Sequence, residues 1–120
     1  MPRDFRKIQA WQLADDLAFA VYRCTDNFPK DERYGLTQQL RRAVVSVPSN
    51  IAEGSSRGSR DEYYQFCTVA RGSLAEARYQ LHLAHRLGYL QDEQYAGLEA
   101  LADRVGAAIH GLLGAIRPAR

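Results

Sequence analysis

The sequence predicts an all-α fold: an antiparallel, up-down-up-down four-helix bundle in one domain. Three observations predict it. Apolar residues recur at alternating spacings of three and four along four segments, the stripe by which a bundle helix meets a core. No run of alternating apolar and polar residues bounded by turn residues offers a strand. The breaks between segments are short, about 4–6 residues, which favours antiparallel neighbours. Length agrees, since 120 residues with 46% hydrophobic content and a net charge of +2 make one domain's worth of chain. Such a domain buries roughly 65% of the surface its unfolded chain exposes, so one core holds it without metal or disulfide. Cys24 and Cys67 therefore need no bridge.

The first helix, about residues 5–27, carries Ala10, Ala14, Leu17, Val21, Cys24 and Phe28 as its stripe. Phe28-Pro29 ends it, because the residue before proline is pushed out of the α region. The second, about 32–54, begins near Asp31 and presents Leu36, Leu40, Ala43, Val47 and Ile51, until Gly54-Ser55-Ser56-Arg57-Gly58 stops it. Ser59 with Glu62 has the spacing of a capping box and opens the third helix, about 60–87, with Tyr63, Cys67, Ala70, Leu74, Ala77, Leu81 and Ala84 as its stripe. Gly88 closes it. Asp92 is the expected cap of the fourth helix, about 92–116, whose stripe is Leu98, Leu101, Val105, Ile109, Leu112 and Ile116 before Pro118. The whole chain, 1–120, is read as this single bundle domain.

Pro48 breaks a rule, sitting inside the second helical pattern without a donor for the Val44 carbonyl. Because the apolar phase runs through Val47 to Ile51 without resetting, one kinked helix is favoured over two. Gly72-Ser73 interrupts the third helix at a cost of about 1 kcal/mol relative to Ala. Close approach by a neighbouring helix, within the protomer or across subunits, would compensate.

Composition excludes several functions. The longest purely apolar stretch, Leu17 to Tyr22, is far below the ~20 residues of a membrane span, and the first residues lead into no apolar signal core, so a cytoplasmic protein is expected. No metal site is expected from His82, His85 and His110, which lack Glu-x-x-His partners and any HExxH. No cofactor and no catalytic residue are expected either. Both cysteines fall on apolar stripes, and the Gly54–Gly58 loop lacks the Gly-Lys-Ser/Thr ending of a phosphate loop. Trp11 and the seven tyrosines read as core or interface residues.

One face of the second helix is unusual. Gln39, Arg42, Ser46, Asn50, Glu53 and Arg57 lie three or four apart. A solvated surface would more often carry Lys and Glu pairs. The alternative is a polar network or subunit interface in which Arg42, Asn50 and Glu53 satisfy one another or Glu76, with Gly72 and Ser73 opposite. Of the 16 basic residues, 14 are Arg. Arg41, Arg42, Arg57 and Arg60 concentrate on and after this helix, and guanidinium suits bidentate phosphate contact. They are the candidate nucleic-acid-binding residues.

The stretch from Phe28 through Gln39, Arg42, Ser46, Pro48, Asn50 and Glu53 to Gly54 resembles the hallmark segment of the four-helix bundle proteins encoded in 23S ribosomal RNA intervening sequences. The likeness continues through Glu62-Tyr63-Tyr64-Gln65-Phe66, Ala70-Arg71-Gly72-Ser73-Leu74-Ala75-Glu76 and Leu87-Gly88-Tyr89-Leu90, and Trp11-Gln12-Leu13-Ala14 is similar to the family's opening helix. The resemblance spans Phe5 to Ile116. It implies a small bacterial protein of antiparallel helices assembling into a homopentamer, with no established enzymatic activity. The family is in turn similar to the accessory variability determinant of diversity-generating retroelements, a pentamer that binds nucleic acid and a reverse transcriptase. The functional expectation is thus a non-enzymatic oligomeric binding or scaffold protein, whose partner is RNA or a ribonucleoprotein. The alternative is a protein–protein interaction module with no nucleic-acid role.

Overall fold

Side chains at the measured spacings build four long helices and no strand among the described residues, which are 3–118 of a computed structural model. They are α1 (Gln9–Thr25), α2 (Leu36–Ser55), α3 (Arg60–Arg86) and α4 (Asp92–Ile116), with short 3-10 turns at Phe5–Lys7 and Lys30–Glu32. Each helix packs on two neighbours in the cyclic order α1, α2, α3, α4, and the α2–α3 seam is the most extensive. Cross-helix pairs run antiparallel. Arg41 reaches Thr25 while Arg3 reaches Ser55, Ser46 meets Ser73, and Arg78 meets Glu99 while His85 meets Asp92. The 27 residues of α3, at about 1.5 Å each, nearly span the long axis of a 46 × 24 × 23 Å body.

The core follows the expected stripes on α2 and α3, every one of whose named residues is buried. On α1 only Cys24 of its stripe is half-exposed. The fourth stripe is rotated: Leu98, Ala102, Val105, Ile109 and Leu113 are buried, whereas Leu101, Leu112 and Ile116 are only partly covered. α4 carries more apolar residues than one face needs, so periodicity alone left its orientation ambiguous, and small Ala102 settles against the core.

Helix ends depart from the sequence reading for identifiable reasons. Asp31 and Glu32 support a 3-10 turn, and α2 starts only after Gly35, where Glu32 Oε1 accepts the Leu36 N–H at 3.0 Å. α1 stops at Thr25, whose hydroxyl donates back to the Val21 carbonyl at 2.8 Å. Ser59 caps α3 by accepting from Glu62 N at 3.1 Å. Asp92 is not the cap of α4. Gln91 and Gln94 make a reciprocal capping box, and Asp92 is the first helical residue. At the other end of this connection Gly88 has φ +81°, and Tyr89 N–H donates to Ala84 O, the six-to-one bond of a Schellman motif.

α2 is one helix through Pro48, which is buried. Within the protomer the close helix approach is at Gly54 rather than at Gly72. A Cβ on Gly54 would stand 2.7 Å from Phe66 Cβ and 3.3 Å from the Tyr63 carbonyl oxygen, so only glycine lets α2 and α3 meet there. Gly72, by contrast, is exposed with nothing within 4 Å of such a Cβ, so no neighbour within the protomer compensates for it.

Candidate functional site

The α2–α3 seam brings together most of the polar residues singled out in the sequence. Both helices present small side chains here, so polar groups replace apolar packing. Ser46 Oγ and Ser73 Oγ are 2.8 Å apart, and Asn50 Nδ2 donates to the Ser46 carbonyl at 2.7 Å and to its Oγ at 2.9 Å. Above them opens a groove of about 360 Å³ lined by Gln39, Arg42, Ala43, Ser46, Ser73 and Glu76. The expected network is thereby redrawn. Asn50 bonds Ser46 rather than Arg42 or Glu53, because an i,i+4 partner on its own helix is nearer. Glu53 pairs with Arg57 at 2.7 Å, also i,i+4. Glu76 accepts from Gln80 Nε2 at 3.4 Å, and Arg42 lines the groove with no ion-pair partner among the described residues.

Val45 on α2 and Val69 and Tyr79 on α3 are exposed apolar side chains on the same two helices. Of the tyrosines only Tyr63 is buried; Tyr22, Tyr34 and Tyr79 are exposed, so these three are not core residues of the protomer.

The four candidate arginines do not form one patch. Thirteen residues of helical rise, about 20 Å, separate Arg42 from Ser55 at the end of α2, and Arg57 lies in the turn beyond it. Arg41 faces α1, where Nε donates to Thr25 Oγ1 at 2.8 Å and Nη2 pairs with Asp26 at 3.0 Å, with its guanidinium over the Tyr22 ring. Arg57 lies over the Phe66 ring and pairs with Glu53, and its Nε is buried without a partner. Arg60 is exposed at the first position of α3, beside the loop that carries Arg57.

Sequence reasoning missed a second concavity. Thr25, Asp26, Phe28, Pro29, Lys30, Arg33, Tyr34, Thr37 and Arg41 line a cavity of about 550 Å³ where α1 passes to α2. The only signal was the pair Arg33-Tyr34 immediately before a glycine. The connection is firmly held, because Glu32 accepts from Leu36 N–H and from the Tyr89 hydroxyl, and Phe28 packs at 5.4 Å against the Tyr89 ring.

The remaining reactive groups are quiet. Burial pushes the Cys24 and Cys67 thiols up to about 11, so both stay protonated near neutrality and are poor nucleophiles. His82 and His110 are exposed, while His85 bonds Asp92 at 2.7 Å and stacks on Tyr95 with ring centroids 4.4 Å apart. Among the described residues no three His, Cys, Asp or Glu side chains come together as metal ligands. No helix among the described residues is long and apolar enough to cross a membrane.

Comparison with known proteins follows this geometry. The family model described as "23S rRNA-intervening sequence protein" matches residues 6–111. A crystal structure of a protein with unknown function from the S23 ribosomal protein family, from Bacteroides thetaiotaomicron VPI-5482, superposes with a TM-score of 0.81 at 18% identity, covering 88% of this chain and 95% of that one. At that identity the likeness shows the fold alone. Among curated proteins none matches the chain significantly.

Proposed function

Since the chain belongs to the 23S rRNA-intervening sequence protein family, we propose that it is a non-enzymatic, self-associating binding or scaffold protein whose partner is RNA or a ribonucleoprotein. The observation that carries self-association is the α2–α3 face. These two helices carry an open polar groove, Arg42 without an ion partner among the described residues, bare Gly72 and the exposed side chains of Val45, Val69 and Tyr79. A face of this kind suits another copy of the chain better than water; the resemblance implies a homopentamer, and the sequence reading expects it in the cytoplasm. Interfaces favour such a mixture of apolar contacts and a few directional polar groups.

RNA as partner draws support from the positive balance of the second quarter of the chain and from Arg42 and Arg60, which have no ion-pair partners among the described residues. Titration with structured RNA and single-stranded DNA at low salt tests it. Phosphate contacts make affinity fall steeply as salt rises. Absence of salt-sensitive binding defeats the RNA reading, and a protein that stays monomeric at micromolar concentration defeats the assembly. One observation favours a protein-recognition module instead: Arg57 is already paired with Glu53. A purified complex that survives nuclease treatment would select that reading.

A further inference from the structure

We propose that the cavity between the end of α1 and the start of α2 binds one nucleotide unit of a single-stranded RNA, its phosphate held by Lys30, Arg33 and Arg41 and its base stacked on Tyr34. The inference rests on RNA being the partner, keeps Arg41 alone of the four candidate arginines and adds Lys30, Arg33 and Tyr34. At about 550 Å³ the cavity has the size of ordinary small-molecule sites. Its lining carries three cations against Asp26 alone. Asp26 is already spent on Arg41, whereas Lys30 and Arg33 have no ion-pair partner among the described residues.

Arg41 is fixed before any ligand arrives, since Thr25, Asp26 and the Tyr22 carbonyl hold its guanidinium from the α1 side. Thr37, in the first turn of α2, lies on the wall of the same space. Phe28 and Pro29 supply an apolar floor. Tyr34 is 80% exposed, a large ring left in water beside the cations, with Arg33 over it at 5.7 Å. Cations that reach a phosphate next to an accessible aromatic face are what single-strand recognition uses, because every base has a surface to stack. The Glu32 contacts to Leu36 and Tyr89 keep the connection in place, so little ordering accompanies binding.

Amide NMR titration of the full chain with inorganic phosphate, uridine 5′-monophosphate, a ten-nucleotide single-stranded RNA and the same RNA as a duplex tests the proposal. The single strand is expected to shift residues 25–41 most and to bind more tightly than mononucleotide or duplex. Tyr34→Ala should weaken it about tenfold while Tyr34→Phe keeps it. Arg33→Gln should flatten the salt slope by ~0.7 per lost phosphate contact. Shifts confined to the α2–α3 groove or to residues 57–60 would overturn the cavity and leave RNA as partner. No shift with any probe would overturn both. A mononucleotide that binds as tightly as the strand would overturn the strand as the source of the nucleotide.

Discussion

The Tyr89 hydroxyl donates to Glu32 Oε2 at 2.9 Å, tying together two connections 57 residues apart in sequence. The same carboxylate accepts the Leu36 N–H, so one side chain caps α2 and anchors the turn after α3.

A pH dependence follows with a definite sign. The Leu36 N–H, and then the Tyr89 hydroxyl, hold the Glu32 carboxyl below its ordinary 4.5, and its bond to Glu32 raises the Tyr89 phenol above 10. The depressed acid contributes stability above pH 4.5 that fades as pH falls through its folded value; the raised phenol contributes below pH 10 and fades as pH climbs. Glu32→Gln should flatten the acid limb and Tyr89→Phe the alkaline limb of stability measured by denaturant at a series of pH values. Equal losses for Glu32→Gln at pH 3 and pH 7 would contradict the assignment.

Two glycines should respond oppositely. Gly54→Ala overpacks the α2–α3 approach and is expected to cost about 1–3 kcal/mol. Gly72→Ala meets open space and should stabilise the protomer by up to about 1 kcal/mol through helix propensity. Gly72→Leu leaves the protomer folded yet should lower the oligomer mass seen by native mass spectrometry, because only a neighbouring subunit can be overpacked there. Thermal melts and masses of the three variants check the contrast.

Arg78 bridges α3 and α4 through Asp103 at 2.6 Å and Glu99 at 3.2 Å, and the Asp103 bond is the main reason its own pKa rises. The side chain remains a third exposed. Arg78→Gln should therefore lower stability by no more than about 1 kcal/mol, and by less at high salt. A large, salt-independent loss in denaturant melts would point to packing rather than charge.

Pro48→Ala restores a donor for the Val44 carbonyl on a helix that is already continuous. Helicity by circular dichroism should hold or rise, while the oligomer mass falls if the proline shapes the α2–α3 face. Unchanged mass together with an unchanged melting temperature would remove the structural role assigned to it.

The stripes of α2 and α3 were legible because each has a single apolar face. α4 was not, since Leu101 and Leu112 compete with Ala102 and Leu113 for the core. Gln91 was invisible as a cap because Asp92 beside it is the commoner capping residue, and only the reciprocal Gln94 bond decides. Of the candidate site, the Asn50–Ser46 and Arg57–Glu53 bonds are i,i+4 pairs along the stripe on α2, whereas Ser46 with Ser73 and Arg41 with Asp26 join different parts of the chain, which spacing cannot reveal. The cavity at Lys30, Arg33 and Tyr34 escaped notice because its walls come from both α1 and α2, and no local pattern encodes a concavity between elements.

The cyclic packing order has a kinetic consequence. Three of the four seams join helices adjacent in sequence, and only the α1–α4 seam closes over the length of the chain. Contacts so local place the chain among helical proteins that fold in microseconds to milliseconds. The α2–α3 hairpin, with the broadest seam and the Ser46, Asn50 and Ser73 bonds at its middle, is the unit expected to form first and open last. Amides near Val47 and Ala70 should then be the slowest to exchange with deuterated water, while those of α1 and the outer turns of α4 exchange through smaller openings that leave the hairpin closed.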